Sequence, residues 1–148
     1  MSMLKIKNCT IGEGVPKIIV PLVGGTEEEI MREAELVKEL KPDAVEWRVD
    51  LYNDVMDLDK VKNFLGKLRE FFDNELLLFT FRSKKEGGNL EVSKDFYVQL
   101  NKTAILTKNI DLVDVELFND EKDIKEIMSA AKENGVYVIM SNHEFTKT

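Results

Sequence analysis

Short runs of β-branched and aromatic residues alternate along this chain with longer segments in which every third or fourth residue is apolar. Runs of the first kind predict β-strands, and they lie at residues 17–22, 44–49, 76–81, 112–117 and 136–141. The segments between them have the spacing of amphipathic helices, of which we expect four. Strand–helix units that recur about every 30 residues predict a parallel sheet with right-handed crossovers.

Capping residues indicate where the helices begin and end. Thr26 and Glu29 have capping-box spacing ahead of the first helix. Ser93 is placed to cap the third helix, and Gly135 permits a left-handed ending of the fourth. The apolar faces of the helices are predicted to be buried. Their residues are Ile30, Ala34, Val37, Leu40, Val61, Leu65, Leu68, Phe72, Phe96, Leu100, Ala104, Ile124, Ile127, Met128 and Ala131.

Polar residues recur at alternate positions near the ends of the predicted strands, so they share one face of the sheet. They are Glu46 and Arg48, Thr80 and Arg82, Asp114 and Glu116, and Ser141 and His143. The residues between them face the other way, namely Val45, Trp47, Phe79, Phe81, Val113, Val115 and Met140. Helices on both faces would bury the charges at a high cost. A barrel places them instead in a wet cleft at the C-terminal strand ends.

The predicted fold is therefore α/β, of the (β/α)8 TIM-barrel family, with this chain an incomplete barrel of about five parallel strands and four helices. Residues 1–148 form part of a single barrel domain. Within it, residues 3–15 form a short strand and turn, and the βα units occupy 17–148.

Composition narrows the range of partners and compartments. The net charge of -7 is spread over mixed-sign segments, which argues against nucleic acid and against an anionic membrane as partner. No apolar run approaches the roughly 18 residues of a membrane span, and the N-terminus lacks the apolar region of a signal peptide. The single cysteine, Cys9, is a poor metal ligand and is expected to be a small buried hydrophobe. We expect a cytoplasmic protein.

Two groups of residues at the strand ends have catalytic potential. His143 is the only histidine, and an imidazole at a strand end can both take and return a proton. In the loop "FRSKKEGG", residues 81–88, Arg82 can hold a hydroxyl or carboxylate and Glu86 can orient an imidazole. Proton transfer of this kind suits an elimination or an isomerisation.

Five stretches together resemble a known family in order and spacing: "GEGVPKIIVPLVGG", "EWRVD", "LLFTFRSKKEGG", "VDVELF" and "VIMSNHEFTKT". They are similar to the N-terminal part of the type I 3-dehydroquinate dehydratases, the Schiff-base enzymes of the shikimate pathway of aromatic amino acid biosynthesis. The resemblance implies that Glu46, Arg48 and Arg82 bind substrate. It also implies that Glu86 orients the general acid/base His143. Pro21 departs from the family, in which several members have serine.

The resemblance implies a lyase that dehydrates 3-dehydroquinate to 3-dehydroshikimate through a lysine imine, with no metal and no dissociable cofactor. The family's lysine lies on the strand after the one that ends at His143, and an eight-stranded barrel takes about 250 residues. We therefore expect this 148-residue chain to be an inactive fragment. Its open sheet edges predict self-association, with a homodimer as the expected form.

Two other readings of the same residues stay open. The chain can be a binding or regulatory module that keeps the polar pocket but lacks the nucleophile. It can also be an unrelated barrel enzyme, such as an isomerase or aldolase, that uses Glu46 and His143.

Overall fold

The computed structural model describes residues 4–6, 9–11, 18–84, 90–116 and 120–141. Five parallel strands form one sheet in the order in which they follow along the chain, and four helices connect them. This confirms the predicted strands and helices. The strands are β3 (Ile19–Leu22), β4 (Ala44–Arg48), β5 (Leu76–Thr80), β6 (Leu112–Glu116) and β7 (Tyr137–Ser141). The helices are α1 (Glu27–Glu39), α2 (Leu58–Phe71), α3 (Lys94–Leu106) and α4 (Glu121–Glu133).

A separate two-stranded hairpin precedes the sheet. Its strands are β1 (Leu4–Ile6) and β2 (Cys9–Ile11), which pair antiparallel with Leu4 opposite Ile11. The sequence predicted a strand and a turn in this region, and the structure adds the second strand.

Two helices, α1 and α3, begin at the capping residues that the sequence indicated. The Thr26 side chain accepts a hydrogen bond from the Glu29 N–H, and the Glu29 carboxylate accepts from the Thr26 N–H, which completes a capping box. The Ser93 side chain caps α3 by accepting a hydrogen bond from the Phe96 N–H, and Gly135 ends α4 with a φ of 71°. None of the described helices is long and apolar enough to cross a membrane.

The main core lies between the four helices and one face of the sheet. The strand residues that were expected on this face are fully buried from Val45 to Val115, and Trp47 packs at its centre against Tyr52, Phe64 and Phe79. Three predictions for this layer are wrong. Three residues are exposed instead. Leu40 lies at the end of α1, Met128 lies on the outer side of α4, and Met140 lies on the edge strand β7.

The opposite face of the sheet changes character along the strands. Near the strand starts, Ala44, Leu76, Leu78 and Leu112 form a second, smaller buried cluster with Ile139. Further along the same strands, the side chains on this face become polar and charged. The alternation predicted from sequence is therefore present. On this face the side chains are apolar near the strand starts and polar at the C-terminal strand ends.

A salt bridge fixes the other end of the sheet. Arg69, near the end of α2, lies 2.8 Å from the Asp111 carboxylate and also donates to the Glu75 carbonyl. The same Asp111 oxygen accepts the N–H of Leu77, the second residue of β5. This clamp joins α2, β5 and the start of β6 far from the polar strand ends.

Candidate functional site

The polar residues meet at the C-terminal ends of three neighbouring strands. In the register of the sheet, Arg48 of β4 stands beside Thr80 of β5, and Glu46 stands beside Leu78. Strand β6 follows on the other side of β5 and contributes Asp114 and Glu116. Parallel strands bring their carboxyl ends to one edge, and this is where α/β barrels hold ligands.

Arg82 is held by two carboxylates of the adjacent strand. Its Nη2 lies 3.2 Å from Asp114 Oδ2, and its Nη1 lies 3.4 Å from Glu116 Oε2. All three side chains are buried. Burial lowers the pKa of the Arg82 guanidinium, but the charge and hydrogen bond of Asp114 and the charge of Glu116 outweigh it, so the pKa is raised. The guanidinium is therefore charged at every working pH, and the acids on β6 fix its orientation.

Arg48 has a carboxylate partner of its own two residues along the chain. Asp50 lies in the 3₁₀-helical turn Val49–Leu51 that follows β4, and it accepts from Arg48 Nε at 2.9 Å and from Nη2 at 2.8 Å. This hydrogen bond raises the pKa of Arg48, against the opposing effect of burial. The two parallel bonds form a fork, which fixes the plane of the guanidinium as well as its position.

Two of these acids also bind the main chain that leaves β5. Asp50 Oδ1 accepts the Arg82 N–H at 3.1 Å, and Glu116 Oε2 accepts the Ser83 N–H at 3.1 Å. Glu116 is anchored in turn, since its own N–H donates to the hydroxyl of Tyr97 on α3 at 3.1 Å. Burial raises the pKa of that hydroxyl. The beginning of the loop after β5 is thus tied to the ends of both flanking strands.

One polar atom on this face has no partner in the part of the chain that the structure describes. The Thr80 hydroxyl oxygen is buried and makes no hydrogen bond there, although Thr80 stands beside Arg48 in the sheet. A buried hydroxyl without a hydrogen-bond partner is costly.

Three of the five predicted site residues lie together. Glu46, Arg48 and Arg82 are on the same face, and the Glu46 charge contributes to the raised pKa of both arginines. The predicted wet cleft is only partly present, since Glu46 and Arg48 are half-buried whereas Arg82 is buried with its acids. Glu86 and His143 lie outside the described residues.

The sequence predictions gave no role to Asp50, Asp114 or Glu116. Strand alternation did place Asp114 and Glu116 on the inner face, but it did not show that both hold Arg82. Asp50 belongs to the quoted motif "EWRVD", yet it lies beyond β4, where the alternation of a strand no longer applies. Within the described ranges no cluster of three or more histidine, cysteine or carboxylate side chains is placed to hold a metal ion.

Comparisons with known proteins give a consistent picture. The sequence model of the type I 3-dehydroquinase family matches residues 18–148. The 3-dehydroquinate dehydratase of Bacillus subtilis (strain 168) is 51% identical over all 148 residues, and the chain spans 58% of that protein's length. Thus the chain corresponds to the N-terminal part of such relatives.

Solved structures of two relatives have the same fold. The type I 3-dehydroquinate dehydratase of Clostridium difficile, solved with covalently modified comenic acid, has a TM-score of 0.91 and 43% identity over 95% of this chain and 56% of its own. The 3-dehydroquinate dehydratase of Enterococcus faecalis has a TM-score of 0.91 and 39% identity over 98% of this chain and 60% of its own. The five strands and four helices are therefore part of a TIM barrel, as predicted from sequence.

Proposed function

Because the chain belongs to the type I 3-dehydroquinase family, we propose that it carries the substrate-binding and proton-transfer residues of a 3-dehydroquinate dehydratase. The proposed reaction is the dehydration of 3-dehydroquinate to 3-dehydroshikimate through an imine. The proposed substrate ligands are Glu46, Arg48 and Arg82, with His143 as the general acid/base and Glu86 as the residue that orients it.

The observation that carries this proposal is the pair of anchored arginines on one face of the sheet. Asp50 uses two of the five N–H donors of Arg48, and the other three make no hydrogen bond to a described residue. Substrate hydroxyl and carboxylate oxygens are acceptors that such donors bind well. Glu46, half-buried on the same face, adds an acceptor for a substrate hydroxyl.

The proposed chemistry starts with a lysine amine, which attacks the substrate ketone and expels water to give a protonated imine. The imine withdraws electrons, so that the neighbouring carbon loses a proton to His143. The returning electron pair then expels hydroxide, to which His143 gives the proton, so that water leaves. Hydrolysis of the imine restores the lysine and releases the product. The Clostridium difficile relative was solved with covalently modified comenic acid, which supports the proposal of covalent chemistry.

We propose that the imine-forming lysine belongs to the part of the family's barrel that follows the segment matched by residues 18–148. We therefore propose that the 148-residue polypeptide binds substrate but does not turn it over by itself. Lys84, the described lysine nearest to Arg82 in sequence, is exposed after β5.

Reductive trapping tests this proposal. The purified chain is incubated with 3-dehydroquinate and borohydride, and its mass is then measured, with a catalytically active family member as the positive control. We expect a reduced adduct on the control enzyme and none on this chain. A stoichiometric adduct on this chain, together with formation of 3-dehydroshikimate, would show that one of its own lysines is the nucleophile.

Calorimetry tests the binding half of the proposal. Arg48→Met removes the Arg48 donors at the polar strand ends. Arg32→Met removes an exposed arginine of α1, which pairs with Glu28 and with no other residue that the structure describes. We expect 3-dehydroquinate to bind the parent chain and Arg32→Met equally, and Arg48→Met at least about tenfold more weakly. Equal affinities in all three proteins would rule out Arg48 as a substrate ligand.

We also propose that the chain is cytoplasmic and forms a homodimer. Its proposed ligand is the small-molecule substrate, and we propose no role for nucleic acid or membrane. Strand β7 is the last strand of the sheet, so one of its edges has no strand partner among the described residues. Tyr137 and Met140 of β7 and Met128 of α4 are exposed. An open edge next to apolar side chains favours association with a second chain.

A further inference from the structure

Asp50 makes three hydrogen bonds and exposes none of its side chain. Oδ1 accepts from Arg48 Nε and from the Arg82 N–H, and Oδ2 accepts from Arg48 Nη2. The Asp50 side chain has 0% of its surface exposed, whereas 23% of the Arg48 side chain is exposed. The carboxylate is therefore behind the arginine, where it contacts the guanidinium but is not accessible to a ligand.

The fork from Asp50 determines which donors Arg48 presents. A guanidinium is planar, so two parallel bonds to one carboxylate fix both its plane and its rotation. The occupied side is the Nε and Nη2 side, and the opposite side, with Nη1, points away from Asp50. Without the fork, the long Arg48 side chain regains several rotamers, which a ligand would have to restrict when it binds.

The third bond of Asp50 links the two arginines. The Arg82 N–H donates to the carboxylate that holds the Arg48 side chain, and the Arg82 side chain is held by Asp114 and Glu116 of β6. Asp50 after β4 and the two acids of β6 thus fix the relative position of the two guanidinium groups across the three neighbouring strands β4, β5 and β6.

We propose that Asp50 is a positioning residue, which orients the Arg48 guanidinium and fixes its distance to Arg82 so that both arginines engage one substrate molecule. The proposal rests on the proposed function for the identity of that substrate. Asp50 acts through Arg48 and does not itself contact the substrate.

The orientation of Arg48 is measurable without any substrate. We would record the Nε–H signal of Arg48 by NMR in the parent chain, in Asp50→Asn and in a control, Asp111→Asn. Asp111 matches Asp50 in kind, because it also binds an arginine and a main-chain N–H of the β5 segment, but it lies at the other end of the sheet. We expect hydrogen exchange at Arg48 Nε to become at least about tenfold faster in Asp50→Asn and to stay unchanged in Asp111→Asn.

The consequence for binding is measured by calorimetry with 3-dehydroquinate, in Asp50→Asn, Arg48→Lys and the double variant. Since Lys cannot form the fork, Arg48→Lys should weaken binding, and adding Asp50→Asn should weaken it by no more than about twofold further. Fully additive losses would overturn the proposal, as would equal losses in Asp50→Asn and Asp111→Asn, which would indicate general destabilisation. If Asp50→Asn does not fold, Asp50→Glu keeps the charge, moves it by one methylene and is measured in its place.

The two arms separate this inference from the proposed function. If the parent chain does not bind 3-dehydroquinate, the proposed function fails, and the Arg48 Nε–H measurement alone decides whether Asp50 positions the guanidinium. If the substrate binds but Asp50→Asn leaves Nε–H exchange and affinity unchanged, the inference about Asp50 is wrong and the proposed function stands.

Discussion

Replacing Arg82 by methionine should lower the free energy of unfolding of this protein far more than replacing an exposed arginine. Arg82→Met keeps most of the apolar stem but removes the cation between Asp114 and Glu116, whose side chains are only 6% and 2% exposed. Breaking a buried ion pair by removing one partner costs about 3–5 kcal/mol, because it leaves an uncompensated charge in the interior. Glu116 keeps its bond from the Ser83 N–H, so we expect about 3 kcal/mol, at the lower end of that range.

The assay is urea unfolding followed by tryptophan fluorescence. Trp47 is the only tryptophan, and it is fully buried among Tyr52, Phe64 and Phe79, so its emission reports on the main core. Arg32→Met is the matched control. Since Arg32 and Glu28 are 71% and 74% exposed, the same substitution there should change the midpoint only slightly.

Two further variants test the reason for the loss. Arg82→Lys keeps the charge but cannot bridge two carboxylates with planar geometry, so its stability should fall between those of the parent and Arg82→Met. Asp114→Asn in the Arg82→Met background should recover part of the loss, since it removes one of the two carboxylate charges that lose the Arg82 cation. A change in the midpoint for Arg82→Met no larger than for Arg32→Met would refute the reasoning, and so would fully additive effects of Arg82→Met and Asp114→Asn.

Three other outcomes follow from the site and the fold. Burial raises the pKa of Tyr97, and burial together with a hydrogen bond to Glu27 raises the pKa of Tyr52. The protonated hydroxyls therefore stabilise the folded state fully below about pH 10, the ordinary tyrosine pKa, and this stabilisation is lost as the pH rises through the folded-state pKa. Alkaline unfolding curves should show this decline, and Tyr97→Phe should make it shallower; an unchanged slope would contradict it. In an active form of the protein that carries the lysine, His143→Ala should lower kcat by roughly 10²-fold or more with a modest change in KM, and Glu86→Gln should affect the same step non-additively. Light scattering at micromolar concentration should give the mass of a dimer or larger species, and a compact monomer would count against the open β7 edge as an association surface.

Much of the architecture could be predicted from local sequence. The strand and helix segments, the capping box at Thr26 and Glu29, and the left-handed Gly135 depend on interactions within a few residues, so periodicity and capping rules determine them. The opposite facing of Trp47 and Arg48 follows from the alternation of a strand, which is a local property too. These rules were sufficient to predict the parallel sheet and a polar end on one face.

The partners of Arg82 were decided by the tertiary structure alone. Arg82 and Asp114 are 32 residues apart and meet only because β5 and β6 are neighbours in register, and Asp50 reaches the Arg82 N–H because the chain turns after β4. The exposure of Met128 and Met140 was also beyond periodicity, since a pattern shows which face is apolar but not whether another element covers it. Alternation shows on which face a charge lies; whether that charge is solvated or paired depends on side chains that are distant in sequence, because the free energy of a buried charge is set by the groups that surround it in space.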